Sequence, residues 1–254
     1  MSYTTEKAAI FDKLLLDYER EFAQFSVGLK RMLAELIQTG PLTKSEVIAF
    51  FSESGMMDVA SSFVNRYDEV IDFTAMISKK TGIPLVLPER SLVLLELYKQ
   101  NQVQNILGAS ESIMKTVTDA SFRYGIGESK MSTIIKELDE IVNVAGRRIV
   151  SEAYTGASIY DRTVKYEQFT NAEVELYFYD GPLDKVTRDV CRTTLSNSKQ
   201  FSGWTIEDIR GSGTPFAVCG GYGCRHEWLP FVEGLDDLIK GMQKDAGITQ
   251  GINP

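Results

Sequence analysis

The chain has 254 residues, 43% hydrophobic and 24% charged, with a formal net charge of −8 and a pI near 4.9. That composition fits a globular protein of one large or two small domains. Its acidity argues against direct DNA binding, because affinity for nucleic acid comes from Lys and Arg clustered on phosphates. No positively charged start leads into an apolar run, no apolar stretch approaches membrane-spanning length, and three cysteines are too few for a disulfide framework. The expectation is a chain made in a reducing cytosol, with neither a secretory signal nor a membrane segment.

From Glu6 to Ile37, Ile10, Leu14, Tyr18, Phe22, Phe25, Leu29, Met32 and Leu36 recur at steps of four and three, the stripe of one helix about 45 Å long. A stripe of this kind packs on partner helices, and packing within the chain is the expectation. Gly40-Pro41 ends the helix. Thr43-Lys44-Ser45-Glu46 is a capping box, with Leu42 and Val47 placed as a hydrophobic staple, and it opens a short helix running to Ser54-Gly55. A third helix turns Val59, Phe63, Tyr67, Val70, Ile71 and Ile77 inward and stops at Gly82. Pro84 and Pro88 then flank an apolar loop. Helix resumes near Arg90 with Leu94, Leu95, Tyr98, Ile106, Ile113 and Val117, and Gly108 is a candidate break.

Arg123 to Ser129 reads as a linker or sharp turn, with Ser129 as cap of the next helix. That helix carries Ile134, Ile135, Leu138, Ile141, Val142, Ala145, Ile149 and Ala153. Arg147 and Arg148 also fall on it, on a solvated face or toward acidic groups of a partner. A separate helical piece covers Ser158 to Phe169. The period then changes to two in Val174 to Tyr179, which predicts a strand ended by Asp180-Gly181-Pro182. A short helix from Asp184 to Leu195 places Arg188 and Cys191 on one face. Another begins around Trp204 to Asp208, and a strand from Arg225 to Val232 closes the unit. After Glu233 come a short amphipathic piece (Leu235, Leu238, Ile239, Met242) and a polar tail. The fold class is α+β: a helical region at 1–126, a small module with a short antiparallel sheet at 127–232, and a tail at 233–254.

The chemistry concentrates in Cys219 to Pro230, which holds two of the three cysteines, the sole histidine and one of the two tryptophans. On a strand, Cys224 and His226 share a face. Pairing of the two strands obliges the helix carrying Cys191 to cross the sheet, which predicts a Cys191–Cys224 sulfur approach of about 4 Å or less. Three readings of the cluster stand. Cys191, Cys219, Cys224 and His226 suit a tetrahedral zinc ion, so the cofactor is structural zinc or none. Alternatively they form a polar cluster in which Arg225 pairs with Asp189 or Glu227 and the thiols act as small apolar groups. The third is a Cys191–Cys224 disulfide, stable only outside the cell. An enzyme reading, nuclease-like, would use Cys224 as nucleophile and His226 as base, with Asp184, Asp189 or Glu227. Against it, neighbours at i and i+2 lie side by side, and Gly220 to Gly223 lacks the helix and Lys of a phosphate cradle. Trp204 and Trp228 read as core anchors.

The order of these pieces resembles the Mu F-like phage head morphogenesis proteins, also called minor head or minor capsid proteins. The resemblance rests on a helix leading into a strand that ends Asp180-Gly181-Pro182, on Thr187-Arg188-Asp189-Val190-Cys191, on a Trp-bearing segment, and on Gly220-Gly221-Tyr222-Gly223-Cys224-Arg225-His226-Glu227-Trp228. It covers about Ser129 to Val232. The last segment is the specific one, and this chain departs from the pattern in carrying Gly223 where Asn is common and in adding Cys219. The resemblance implies a virion component in few copies near the portal vertex, acting in head assembly or genome delivery. Its partners would be portal or other head and neck proteins, with self-association possible. An adaptor with a zinc module is a further alternative.

Overall fold

The computed structural model describes residues 3–71, 74–75, 78–79, 82–197 and 202–231. Helix α1 (Tyr3–Gln38) is followed by α2 (Lys44–Glu53), α3 (Met56–Asn65) and a 3-10 turn (Arg66–Val70). Then come α4 (Glu89–Gly108), α5 (Glu111–Gly125) and α6 (Met131–Asn171). Strand β1 (Tyr177–Asp180), α7 (Asp189–Ser196), α8 (Ile206–Gly211) and β2 (Glu227–Pro230) complete the described chain. The α+β class is as the periodicities predict: a long helical stretch, then one two-stranded antiparallel sheet. No single described helix is long and apolar enough to cross a membrane.

Compactness divides the chain differently from a sequential split at residue 126. One unit comprises Met1–Lys13, Tyr67–Glu96 and Ala157–Pro254; the other comprises Leu14–Arg66 and Leu97–Gly156. The expected inward Ile77 and the amphipathic piece with its tail at 233–254 lie outside the described residues.

In the second unit the caps behave as their residues dictate. Thr43 Oγ1 accepts from the Glu46 amide at 3.3 Å while Glu46 Oε2 accepts from the Thr43 amide at 2.7 Å, so α2 starts on its capping box. Gly108 does end a helix, and α4 and α5 are separate. The buried line along α1 differs from the expected stripe: Leu29, Leu33 and Ile37 are buried, whereas Met32 and Leu36 are only partly so. The line runs through Ser26 instead of Phe25. A serine is tolerated there because its hydroxyl donates to the Ala23 carbonyl at 2.8 Å, an internal partner that apolar spacing cannot register. Ser129 does not cap α6; its hydroxyl accepts from Arg123, and α6 begins at Met131. Ile135 is half exposed, as is Leu94 of α4.

Helix α6 is a single helix of 41 residues, about 60 Å long at 1.5 Å per residue, where the sequence suggested two pieces. Gly156 lies inside it. A glycine in a helix interior costs about 1 kcal/mol relative to alanine, which is too little to break a helix whose flanks, Ala153, Thr155, Ala157 and Ser158, are buried.

In the first unit β1 and β2 pair in the register Tyr177↔Pro230, Phe178↔Leu229, Tyr179↔Trp228 and Asp180↔Glu227. Both strands are shorter than the period-two runs. Their side chains are buried on both faces, so Tyr177 and Tyr179 do not point to solvent as simple alternation implied. Trp228 packs between Tyr179 at 4.7 Å and Trp204 at 5.4 Å, and its indole donates to the Thr214 carbonyl at 2.8 Å. Both tryptophans anchor this core, together with Phe169, Phe216 and Ile209.

Candidate functional site

Two groups of side chains meet on either side of β2. The first contains the sulfurs. Segment 184–187, read from sequence as helix, is instead a turn: the Asp184 amide donates to Thr187 Oγ1 at 2.9 Å and Asp184 Oδ1 accepts from the Val186 amide at 3.0 Å. Asp and Thr side chains compete for backbone groups in this way and delay the helix, so α7 starts at Asp189. Its face still carries Cys191 inward. Cys191 Sγ lies 3.7 Å from Cys224 Sγ, and Cys224 Sγ lies 3.6 Å from His226 Nδ1. The Tyr179 hydroxyl reaches both sulfurs, at 3.4 Å and 4.0 Å, and its ring stacks on the imidazole at 5.5 Å. All three ligand-bearing residues are buried, and none of the three cysteines is in a disulfide.

The loop before β2 is shaped around these sulfurs. Cys219 takes a positive φ of 50°, Gly221 93° and Gly223 63°. The Gly220 amide donates to Cys224 Sγ at 3.3 Å. A Cβ on Gly220 would sit 2.2 Å from Cys191 Sγ, so only glycine leaves room for the pair. Burial pushes the Cys224 thiol up, but the hydrogen bonds from His226 and the Gly220 amide outweigh it and bring it down to about 6, a thiolate at neutral pH. Cys219 is different. Its Sγ donates to the Phe216 carbonyl at 3.3 Å, and burial pushes its thiol up to about 12. Of the four residues read as a metal set, Cys191, Cys224 and His226 come together with their ligand atoms within 4.8 Å of one another; Cys219 is not part of that set.

Arg225 pairs with Asp184 at 2.7 Å, which corrects the expected partners Asp189 and Glu227. The turn at 184–187 delivers the Asp184 carboxylate to it, and the guanidinium holds that carboxyl down to about 2. Asp189 is exposed in the first turn of α7.

The second group is one the sequence reading missed. Asp161 and Lys165, one turn apart on α6, are fully buried and paired at 2.8 Å. Lys165 also donates to Glu227 of β2, and Lys7 of α1 reaches Glu227 at 2.6 Å and Asp161 at 3.2 Å. Thr74 donates to Asp161 at 3.2 Å. Two ammonium groups thus alternate with two carboxylates, and the charges cancel. Burial pushes Glu227 up, but Lys165 and Lys7 outweigh it and hold it down to about 2. Burial lowers Lys165, because an ammonium in a low dielectric is disfavoured. Next to Asp161, buried Arg162 donates to the Cys224 carbonyl at 3.0 Å and the His226 carbonyl at 2.9 Å. One guanidinium therefore fixes the backbone on both sides of Arg225, linking the ionic group to the sulfur group.

Such a site can hold a soft metal ion or fasten the sheet to α6 and α7. It offers no open nucleophile, since Cys224 and His226 are buried side by side, 4% and 3% exposed. Compared with protein-family models, curated proteins and solved structures, the chain matches none.

Proposed function

We propose that this chain is a structural component of a tailed-phage virion, a minor head protein of the Mu F-like type. It acts near the portal in head assembly or genome delivery. The observation that carries the reading is the convergence of the two segments on which the resemblance rests. Arg188-Asp189-Val190-Cys191 and Gly220 to Trp228 meet through the 3.7 Å sulfur pair and through Arg188, which donates to the Tyr222 carbonyl. Residues that share one job in the fold are the ones a family would keep together, and here the job is to close the module. Burial of the sulfurs and pairing of Glu227 with lysines favour fastening over turnover. The net charge of −8 suits protein partners better than DNA.

Mass spectrometry of purified particles from a phage encoding this chain tests the reading. Peptides of the chain in few copies per particle are expected, and a chain absent from intact particles overturns it. His226→Ala separates it from a nuclease-like enzyme: a structural role predicts loss of the folded module and of incorporation. An intact fold that loses a measurable turnover would instead favour the enzyme.

A further inference from the structure

We propose that Cys191, Cys224 and His226 bind one zinc ion, with the Tyr179 hydroxyl at the fourth corner. The inference does not depend on the virion role. With Zn–S about 2.3 Å and Zn–N about 2.0 Å, a tetrahedral ion requires its ligands to stand about 3.8 Å apart between sulfurs and about 3.5 Å between sulfur and nitrogen. Cys191 Sγ and Cys224 Sγ stand 3.7 Å apart and Cys224 Sγ and His226 Nδ1 3.6 Å, and all three ligand atoms lie within 4.8 Å of one another, so a small closure of the third edge completes the set. A tetrahedral oxygen at about 2.0 Å from zinc would lie about 3.5 Å from each sulfur. Tyr179 Oη lies at 3.4 Å and 4.0 Å.

The surroundings fit the same ion. Two thiolates and a neutral imidazole around Zn²⁺ sum to zero charge, which a buried place accepts without an unpaired ion. The Gly220 amide donates to Cys224 Sγ, the kind of outer contact that orients a thiolate ligand. Arg162 fixes the carbonyls of Cys224 and His226, so two of the three ligands are held by backbone whose position is set from α6. Soft sulfur with imidazole selects zinc over the hard cations. Cys219 is no ligand, because its thiol is spent on Phe216.

Cobalt(II) titration of the full-length reduced protein, stripped with a chelator, tests the site. One equivalent should produce thiolate-to-cobalt charge-transfer absorption and visible bands of tetrahedral strength, bleached by zinc. Cys219→Ser should titrate like the parent, and Cys191→Ser and Cys224→Ser should lose the bands. Tyr179→Phe should keep them with affinity about 10-fold weaker. Stripped parent protein that develops no such bands overturns the site, and this arm needs no variant to fold. Loss of the bands in a folded Cys219→Ser overturns the ligand set. Unchanged affinity in Tyr179→Phe overturns the fourth corner.

Discussion

Lys165 and Glu227, 62 positions apart in the chain, meet where both side chains are almost closed to solvent, and this contact ties the C-terminal part of α6 to β2. A buried ion pair is weak grounds for net stability, because desolvating both ions offsets their attraction. Breaking one is costly, because the remaining charge is stranded. Lys165→Met removes one of the two ammonium groups that Asp161 and Glu227 share, leaving Lys7. The variant should lose about 3 kcal/mol by urea denaturation, the low end for a stranded buried charge. Lys165→Met with Glu227→Leu should recover most of that loss, since Asp161 then keeps Lys7. A double variant no more stable than the single one contradicts the pairing.

Asp180 faces Glu227 across the strand pair, with Lys7 and His226 close enough to act on it electrostatically. Burial and then Glu227 raise its carboxyl from 3.8 to about 6. Between these values the folded chain binds more protons than the unfolded one, so this group adds stability as pH falls from 7 toward 4. Glu227, held down to about 2, works the other way below about pH 4.5, where the unfolded chain takes the proton first. Stability should therefore pass through a maximum near pH 4 to 5. Asp180→Asn should be more stable than the parent at pH 7 by about 1 kcal/mol and should lose the rise between pH 7 and 5. Urea midpoints at the two pH values decide it, and parallel curves for the two proteins exclude it.

What the sequence made legible follows from local chemistry. The capping box at Thr43, the break at Gly108 and the two strands each declare themselves within a few residues. The sulfur approach was legible because Cys191 lies on the first helix after β1 and Cys224 lies just before β2, so pairing of the two strands brings both to one sheet. The ionic group was missed for the opposite reason, as its members come from α1, α6 and β2. One signal was available: the α6 line Ile149, Ala153, Ala157 continues in steps of four to Asp161, Lys165 and Phe169. A core line that runs through two opposite charges announces a buried pair, provided α6 is read as unbroken past Gly156. Arg225 was given the wrong carboxylate because the Asp184 turn depends on Thr187 competing with the helix.

Two glycines on long helices should respond to alanine with opposite signs. Alanine is favoured over glycine in a helix interior by about 1 kcal/mol. At Gly28 of α1 a Cβ meets nothing within 4 Å, so Gly28→Ala should gain up to that amount. At Gly146 of α6 a Cβ would lie 2.3 Å from the Phe22 ring, and the overlap should outweigh propensity. Gly146→Ala should lose about 1–3 kcal/mol. Thermal midpoints that rise for both variants would mean that α1 and α6 are not in contact at this point.

Gly220→Ala examines the sulfur pair without touching a sulfur. No positive φ stands in the way of alanine there, so strain must come from the added methyl, 2.2 Å from Cys191 Sγ and 3.2 Å from Cys224 Sγ. Overpacking of this kind costs about 1–3 kcal/mol. Cys191→Ala removes the atom in the closest clash, so Gly220→Ala and Cys191→Ala should be non-additive: the double variant should be more stable than the sum of the two single losses by about 1 kcal/mol or more. Gly221 is the control. Its Cβ would meet nothing within 4 Å, but its φ of 93° disfavours any side chain. Gly221→Ala should cost about 1 kcal/mol through the backbone alone, and Cys191→Ala should not relieve it. Urea denaturation of the five variants with the parent measures both couplings. A Gly220 loss that Cys191→Ala leaves unchanged would place the sulfur elsewhere and remove the packing basis for joining α7 to the loop before β2.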